Sequence, residues 1–313
     1  MSALVVTVPD SLGGVRVDRV VALLADLPRT AVDTLVDEGR ITVDGRVVRR
    51  RSVLVRAGQE LCVERPEKSP DVGPGPDESV EFTVVEADDQ VIVVDKPAGL
   101  VVHPGAGHSG GTLVNGLLSR FPELASVAEE TGSDPRRPGI VHRLDRGTSG
   151  LLVVARTANA YRSLVDQLKF RRVSRSYATM VWGSVEGGSG VVEAPIGRST
   201  AVPTRMAVSR TGKPALTRYR VERRFDPPPT TELWVELETG RTHQIRVHLA
   251  AVGHPVVGDP VYGRGGPTPP SPLDRPFLHA AQLTFEDPGS GRGRTFDSPL
   301  PADLAAVLRA LEG

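Results

Sequence analysis

The sequence predicts an α+β fold with a mixed, largely antiparallel sheet. Its strand and helix patterns do not follow a regular βαβα order, which disfavours an all-parallel sheet. Asp44-Gly45 separates two short β-rich runs and indicates a hairpin. Leu233, Val235 and Leu237 lie at alternate positions, as expected for a strand that is buried on one face.

The first 65 residues predict two short helices followed by that hairpin. Thr30 indicates the N-cap of the second helix, and Gly39 indicates its end. The first helix is indicated by apolar residues at i, i+3, i+4 and i+7, namely Val17, Val20, Val21 and Leu24.

A Pro- and Gly-rich segment follows this helical module, and we predict three parts of the chain. Residues 1–65 form the small module, residues 66–78 form a linker, and residues 79–313 form the larger domain. In the larger domain, apolar runs at 82–85, 91–94 and 151–155 predict strands. Helical spacing predicts helices near 113–118, 157–168 and 304–311, the second of them capped by Thr157.

The composition excludes several protein classes. The chain has 313 residues, of which 39% are hydrophobic, so it can bury a sizeable core. Its one cysteine excludes a disulfide framework and a zinc site made of thiolates. The apolar runs are far shorter than a membrane span, and the N-terminus lacks the basic region of a signal peptide. We therefore expect a cytoplasmic protein that binds no membrane and no metal.

The net charge of zero conceals an uneven distribution. Residues 1–65 carry a net charge of +1, residues 66–90 carry −7, and residues 91–313 carry +6. Arginine supplies 34 of the 38 basic residues, and clusters such as 49–51 suit phosphate binding. A GC-rich genome would give the same arginine bias. Neutrality of the whole chain therefore does not exclude a nucleic-acid partner.

The strongest chemical signal is the segment 139–150, with the sequence GIVHRLDRGTSG. Asp145 lies between Arg143 and Arg146 in a turn that precedes an apolar strand, which places its carboxylate at one end of a sheet. Such a carboxylate can act as a nucleophile or as a general base. A structural salt bridge between Asp145 and Arg143 is the simpler interpretation of these residues alone.

Four motifs in this order resemble those of the RluA/RluD-type RNA pseudouridine synthases, over roughly residues 80 to 285. Together they are specific, although none is specific alone. One departure is Asp95, which stands where the family usually has Asn. The matching segments are Asp95 to Leu100 with His103-Pro104, His142 to Asp145 with Thr148 to Leu151, Arg175-Ser176-Tyr177, and Thr239 to His248 followed by His254-Pro255 and Gly258-Asp259.

The N-terminal module resembles an S4 RNA-binding domain. The resemblance rests on Arg16-Val17-Asp18, on Pro28-Arg29 and on the segment from Gly39 to Gly45. It implies that Arg29, Arg40 and Arg51 bind RNA. Since the module is nearly neutral, an αα-hairpin scaffold that binds nothing stays open as an alternative.

The resemblance implies a catalytic domain of the pseudouridine synthase type, which isomerises uridine to pseudouridine in structured RNA without cofactor or metal. Asp145 would be the catalytic carboxylate, and Arg246 would pair with it. Tyr177 would stack on the target base and could transfer a proton at C5; a core tyrosine is the alternative. Asp145 either attacks C1′ or removes the 2′ proton, and both routes stay open.

The resemblance also implies further contacts with RNA. Arg143 would occupy the space that the base leaves or hold phosphates, and Lys96 would have an RNA-facing or a structural role. The favoured partner is large-subunit ribosomal RNA, with transfer RNA as a possibility, and we expect a monomer. A non-catalytic RNA-binding factor is disfavoured because Asp145, Tyr177 and Arg246 are all present. A nucleoside hydrolase is disfavoured because no second carboxylate motif is evident.

Overall fold

The computed structural model describes residues 2–27, 29–65, 73–105, 108, 110–263, 267–269 and 271–313. The chain forms two compact units, Met1–Val72 and Gly73–Gly313, each with its own hydrophobic core. Of the predicted linker 66–78, residues 66–72 lie outside the described residues. Among the described residues, no helix has the length and apolarity needed to cross a membrane.

The first unit packs two helices against a four-stranded antiparallel sheet of order β1-β4-β2-β3. The predicted hairpin is present, and both of its turn residues have positive φ, 48° at Asp44 and 74° at Gly45, as a tight hairpin turn requires. The second helix begins at Arg29, one residue before the predicted cap Thr30. The elements are β1 (Ser2–Thr7), α1 (Val17–Leu24), α2 (Arg29–Asp37), β2 (Ile41–Val43), β3 (Arg46–Val47) and β4 (Glu60–Arg65).

The second unit is built on a nine-stranded sheet, with a separate two-stranded ribbon of β10 and β11. Its strands are β5 (Thr83–Ala87), β6 (Val91–Lys96), β7 (Ser149–Ala155), β8 (Ser174–Trp182), β9 (Ser189–Glu193), β10 (Ile196–Arg198), β11 (Met206–Val208), β12 (Leu216–Phe225), β13 (Thr230–Leu237), β14 (Leu278–Glu286) and β15 (Gly293–Asp297). Its helices are α3 (Leu113–Arg120), α4 (Leu124–Thr131), α5 (Ala158–Lys169), α6 (Gln244–Ala251) and α7 (Ala302–Glu312).

The large sheet confirms the predicted fold class. Its order is β5-β6-β7-β14-β8-β13-β12-β9, with β15 paired to β14. The neighbouring strands are antiparallel except β7 and β14, which run parallel. Helices cover both faces, because β6 and β7 pack one face against α5 and the other against α3 and α4. Burial on both faces explains their continuous apolar runs.

A close approach between β7 and β14 positions the turn that precedes β7. Gly150 lies opposite Ala280 in the parallel register and has a φ of 111°. A Cβ atom at Gly150 would lie 2.3 Å from the Ala280 carbonyl oxygen, so only glycine fits. The turn carrying Asp145 therefore leads into a strand end whose position in the sheet is fixed.

Candidate active site

A cleft of about 570 Å³ lies in the second unit and brings together the three residues predicted to be catalytic. Asp145 comes from the turn before β7, Tyr177 from β8, and Arg246 from α6. The cleft is lined by the segment 140–145 with Thr148, by part of β8, and by the segment 237–246 that leads from β13 into α6. Three elements distant in sequence thus form one concave surface.

The Asp145 carboxylate is held by Arg246. The Arg246 Nη1 donates to Asp145 Oδ2 at 3.1 Å. The opposite edge of the same guanidinium donates to Asp259, from Nε at 2.6 Å and from Nη2 at 2.9 Å. Since Asp259 also accepts from the backbone N–H groups of Val261 and Tyr262, it anchors the arginine that orients Asp145.

The electrostatics of this group keep Arg246 and Asp259 charged. Burial alone would raise the pKa of Asp259, but the hydrogen bonds and charge of Arg246 hold that pKa below its ordinary value. Burial opposes the charge on Arg246, yet the two carboxylates raise its pKa above the ordinary value. Among the described residues Asp145 forms an ion pair with Arg246 and none with Arg143, so the salt bridge considered from the sequence is absent there.

His243 faces the same carboxylate in a fixed orientation. Its backbone has a φ of 57°, and its Nε2 lies 3.9 Å from Asp145 Oδ2. Its Nδ1 lies 2.9 Å from the Tyr262 hydroxyl oxygen, which accepts from the Met206 N–H. Burial lowers the pKa of His243 against the opposing charge of Asp145, so the ring is neutral at pH 7. We assign the tyrosine as donor to Nδ1, which leaves the Nε2–H group facing Asp145.

Lys96 is completely buried and holds the backbone next to the turn of Asp145. Its Nζ donates to the carbonyl oxygens of Pro97 at 2.8 Å and Leu100 at 2.9 Å. Burial lowers the pKa of Lys96 to about 7, although the carboxylates of Asp145 and Asp95 oppose the shift. An RNA-facing role is therefore wrong for this lysine, because a buried ammonium cannot reach a phosphate; the structural alternative is supported.

The turn that Lys96 holds is tied directly to the turn of Asp145. The Gly99 N–H donates to the Arg146 carbonyl at 2.7 Å, and the Arg146 Nε donates back to the Gly99 carbonyl at 3.1 Å. The segment Asp95 to Leu100 thus fixes the backbone next to the catalytic candidate.

Tyr177 and His142 line the interior of the cleft in neutral form. Burial raises the pKa of Tyr177, with Arg175 opposing and Asp145 reinforcing the shift, so its phenol keeps its proton. Burial, reinforced by the charge of Arg175, lowers the pKa of His142 to about 3. The His142 Nε2 accepts from the Val153 N–H at 3.2 Å, so the neutral ring carries its proton on Nδ1.

The neutral His142 predicts a loss of stability in acid. The unfolded chain binds a proton near the ordinary pKa of 6.5, whereas the folded protein resists it down to about 3. The stabilisation is complete above pH 6.5 and falls by about 1.4 kcal/mol per pH unit towards 3. Urea titrations should show that wild type loses about 1 kcal/mol more between pH 6 and 5 than His142→Gln, whose side chain cannot titrate. Parallel losses in both proteins would contradict this assignment.

Two sets of charged residues occupy different levels of the cleft. The floor, defined here as Asp145, Arg175 and Arg246 with Asp259 behind them, contains two acidic and two basic side chains. The rim, defined here as Arg137, Arg143, Lys169 and Arg171, is exposed and basic. Arg143 thus lies where a phosphate can reach it. Glu238 and Arg241 also line the cleft and are half-buried, and Glu238 pairs with Arg171.

The arginines predicted to bind RNA in the first unit lie in a different setting. Arg40 forms an ion pair with Glu38, and Arg51 forms ion pairs with Asp33 and Asp37. All of these pairs are largely solvent-exposed, where such pairs contribute little and exchange readily for other anions. The side chain of Arg29 lies outside the described part of the chain.

Sequence reasoning missed three residues of this cleft. Asp259 was noted only as part of a motif, and its distance of 13 positions from Arg246 gave no sign of their pairing. His243 belongs to the motif Thr239 to His248, but nothing in the sequence shows that it faces Asp145. Arg175 belongs to the motif around Tyr177, but nothing in the sequence shows that it is buried in the cleft.

Comparison with known proteins identifies the family. The family model for RNA pseudouridylate synthase matches residues 90–251, which is more than half of the chain. The chain belongs to the RNA pseudouridylate synthase family. A second model, for the S4 domain, matches residues 15–61 and confirms the RNA-binding domain that the sequence predicted in the first unit. The resemblance drawn from the four motifs is thereby confirmed, and the enzyme class is that of an RNA pseudouridine synthase.

Similar proteins extend over nearly the whole chain. The ribosomal large subunit pseudouridine synthase D of Nitrosomonas europaea is 44% identical over 97% of this chain and 87% of its own. An uncharacterized RNA pseudouridine synthase of Chloroflexus aurantiacus is 47% identical over 98% of this chain and 93% of its own. The solved structure of human RNA pseudouridylate synthase domain containing 1 has a TM-score of 0.56 and 26% identity, covering 76% of this chain and 97% of that one.

Proposed function

We propose that this RNA pseudouridine synthase modifies uridines of large-subunit ribosomal RNA, with Asp145 as its catalytic carboxylate and without a cofactor. Two relatives that are 44% and 42% identical over 97% of the chain carry names for that activity on the ribosomal large subunit. The observation that carries the catalytic assignment is the geometry of Asp145. Its carboxylate is oriented by Arg246 inside the cleft that also contains Tyr177.

One oxygen of Asp145 is free for the reaction. Arg246 and His243 both face Oδ2, and no described residue donates a hydrogen bond to Oδ1. Oδ1 is therefore the atom that reaches the ribose of the target nucleotide. It acts there by forming a bond to C1′ or by accepting the 2′ proton, and Arg246 holds it in place in either case.

The target uridine must leave its stack to reach Oδ1. Extrusion of a base costs a few kcal/mol, and stacking on an aromatic ring returns about 1–3 kcal/mol. Tyr177 is the aromatic residue on the cleft wall, and its protonated phenol can exchange a proton at C5 once the base has turned. The exposed rim would hold the flanking phosphates.

The S4 domain would contribute a second contact with the same RNA. Its arginines at 40 and 51 are partly exposed, which supports a role in binding phosphates outside the cleft. Transfer RNA as a substrate, the monomeric state and the cytoplasmic location stay predictions from the sequence.

Ordinary mass spectrometry does not detect this modification, because pseudouridine and uridine have the same mass. Carbodiimide mapping tests the proposed function, because the carbodiimide adduct of pseudouridine survives alkaline treatment and that of uridine does not. Ribosomal and transfer RNA from cells with and without this protein should differ at one or more large-subunit positions. The purified protein should restore those positions in unmodified transcripts. A difference confined to transfer RNA would overturn the ribosomal assignment, and release of free uracil would overturn isomerisation in favour of hydrolysis.

A further inference from the structure

Arg175 is a buried cation without an anionic partner. Only 9% of its surface is exposed, and among the described residues no carboxylate lies within ion-pair distance of it. Its Nη2 donates to the Leu237 carbonyl at 3.4 Å, and its Nε has no hydrogen-bond partner. Burial lowers the pKa of Arg175, which reflects this uncompensated charge.

The other buried arginines of this domain show what Arg175 lacks. Arg246 is held by Asp145 and Asp259, and Arg275 is held by Asp303 through two hydrogen bonds. A buried charge costs several kcal/mol unless a partner compensates it. A buried charge that has no partner in the free protein is therefore suited to a partner that arrives with the substrate.

The position of Arg175 indicates which part of the substrate supplies that partner. It lies on β8 two residues before Tyr177, so both side chains point to the same face of the strand and into the cleft. The other two unpartnered buried atoms of the described residues, His142 Nδ1 and Thr148 Oγ1, also belong to side chains of this cleft. The assigned tautomer makes His142 Nδ1–H a donor, as Arg175 Nε–H is.

We propose that Arg175 binds a carbonyl oxygen of the target uracil and stabilises the anion that forms when the base is detached from the ribose. This inference rests on the proposed function. When the N1–C1′ bond breaks, its electron pair stays on the uracil, and the negative charge spreads over N1, O2 and O4. C5 then uses a pair to bond to C1′; on one route this breaks the bond between Asp145 and C1′, and on the other C2′ regains its proton from Asp145. The C5 proton is lost to a base and N1 gains a proton, so the product is an isomer.

A backbone phosphate is the less suitable partner. The exposed cations of the rim are accessible to phosphates, whereas Arg175 lies inside, beside the tyrosine proposed to stack on the base. The unpartnered N–H donors of Arg175 and His142 also favour uracil as the ligand, because uracil has carbonyl oxygens at both C2 and C4. A donor positioned for the developing charge contributes about 100- to 1,000-fold to turnover in comparable sites.

The primary test replaces Arg175 by Gln in the full-length protein. Single-turnover rates at saturating RNA should fall roughly 100-fold, whereas the RNA dissociation constant should change less than about threefold. Arg175→Lys keeps the charge, so its single-turnover rate should be at least tenfold higher than that of Arg175→Gln. A change in binding with an unaltered rate would overturn the proposal in favour of a phosphate contact.

Gly240→Ala moves the same guanidinium without removing it. A Cβ atom at Gly240 would lie 2.8 Å from Arg175 Nη1, the end of a flexible side chain, so the arginine shifts and the fold is kept. The rate should fall, and the melting temperature should stay close to that of wild type. An unaltered rate in both Arg175→Gln and Gly240→Ala would contradict the proposal.

Two controls separate a chemical role from a structural one. Arg294→Gln removes a cation held by Glu86, Asp88 and Asp287, remote from the cleft, and should lower stability without changing the rate. RNA with 5-fluorouridine at the target position carries a base that leaves as a more stable anion. The deficit of Arg175→Gln in breaking the N1–C1′ bond should therefore shrink on this substrate, and an equal deficit would indicate a structural role. If wild type forms no pseudouridine, the proposed function itself fails.

Discussion

Asp145→Asn should abolish pseudouridine formation while RNA binding stays within a few-fold of wild type. The amide has the shape of the carboxylate and can accept from Arg246 through its oxygen, so the cleft keeps its form. It can neither bond to C1′ nor take up the 2′ proton, and the loss of such a group typically reduces turnover by about 10⁴-fold or more. Carbodiimide mapping of a single-turnover reaction on unmodified ribosomal RNA measures the rate.

Asp166→Asn is a suitable control, since this exposed aspartate lies on α5 outside the cleft lining. It should behave as wild type in both rate and binding. Turnover by Asp145→Asn above one hundredth of the wild-type rate would show that another group performs the chemistry.

Asp259→Asn should lower both stability and turnover. It removes the buried carboxylate that accepts two hydrogen bonds from one edge of the Arg246 guanidinium, and breaking one side of a buried ion pair costs about 3–5 kcal/mol. The arginine then depends on Asp145 alone and no longer fixes its orientation, so we expect turnover to fall about 100-fold. Urea titration gives the unfolding free energy, and rates are measured where each variant is folded.

Glu232→Gln removes a matched ion pair outside the cleft, with Arg223 on the neighbouring strand. Arg223 is half-exposed and keeps Glu312 as a second partner, so the loss of stability should be smaller than in Asp259→Asn and the rate should not change. A stable and fully active Asp259→Asn protein would show that Arg246 does not require its anchor.

The parts of the fold predicted from the sequence are those fixed by local physics. Burial of β6 and β7 on both faces produces apolar runs, and the hairpin turn needs residues that tolerate positive φ, which Asp44 and Gly45 supply. The cap at Thr157 is local too, since its Oγ1 accepts from the Ala160 N–H. The strand order and the parallel pairing of β7 with β14 join segments about 130 residues apart, and no local pattern encodes them.

In the candidate site, too, features set by local sequence could be predicted and features that join distant segments could not. The motif around Asp145 is contiguous, so both its turn and its place before a strand could be predicted. For Lys96 the sequence leaves an RNA-facing and a structural role open, because it shows neither burial nor the carbonyl groups that surround the ammonium. The unpaired state of Arg175 is a property of the whole cleft wall, and only the assembled structure shows which carboxylates are near an arginine and which are not.

The separation between a charge-balanced floor and a basic rim has a consequence for how ionic strength acts on this enzyme. Counterions released from RNA would come mainly from the phosphates that meet the rim, so added salt weakens the encounter. Three of the floor charges, on Asp145, Arg246 and Asp259, pair at distances near 3 Å, where mobile ions screen them little, and the fourth, on Arg175, is buried. Affinity and reaction rate would therefore respond to salt independently, which is useful for an enzyme whose substrate is a polyanion and whose reacting base is neutral.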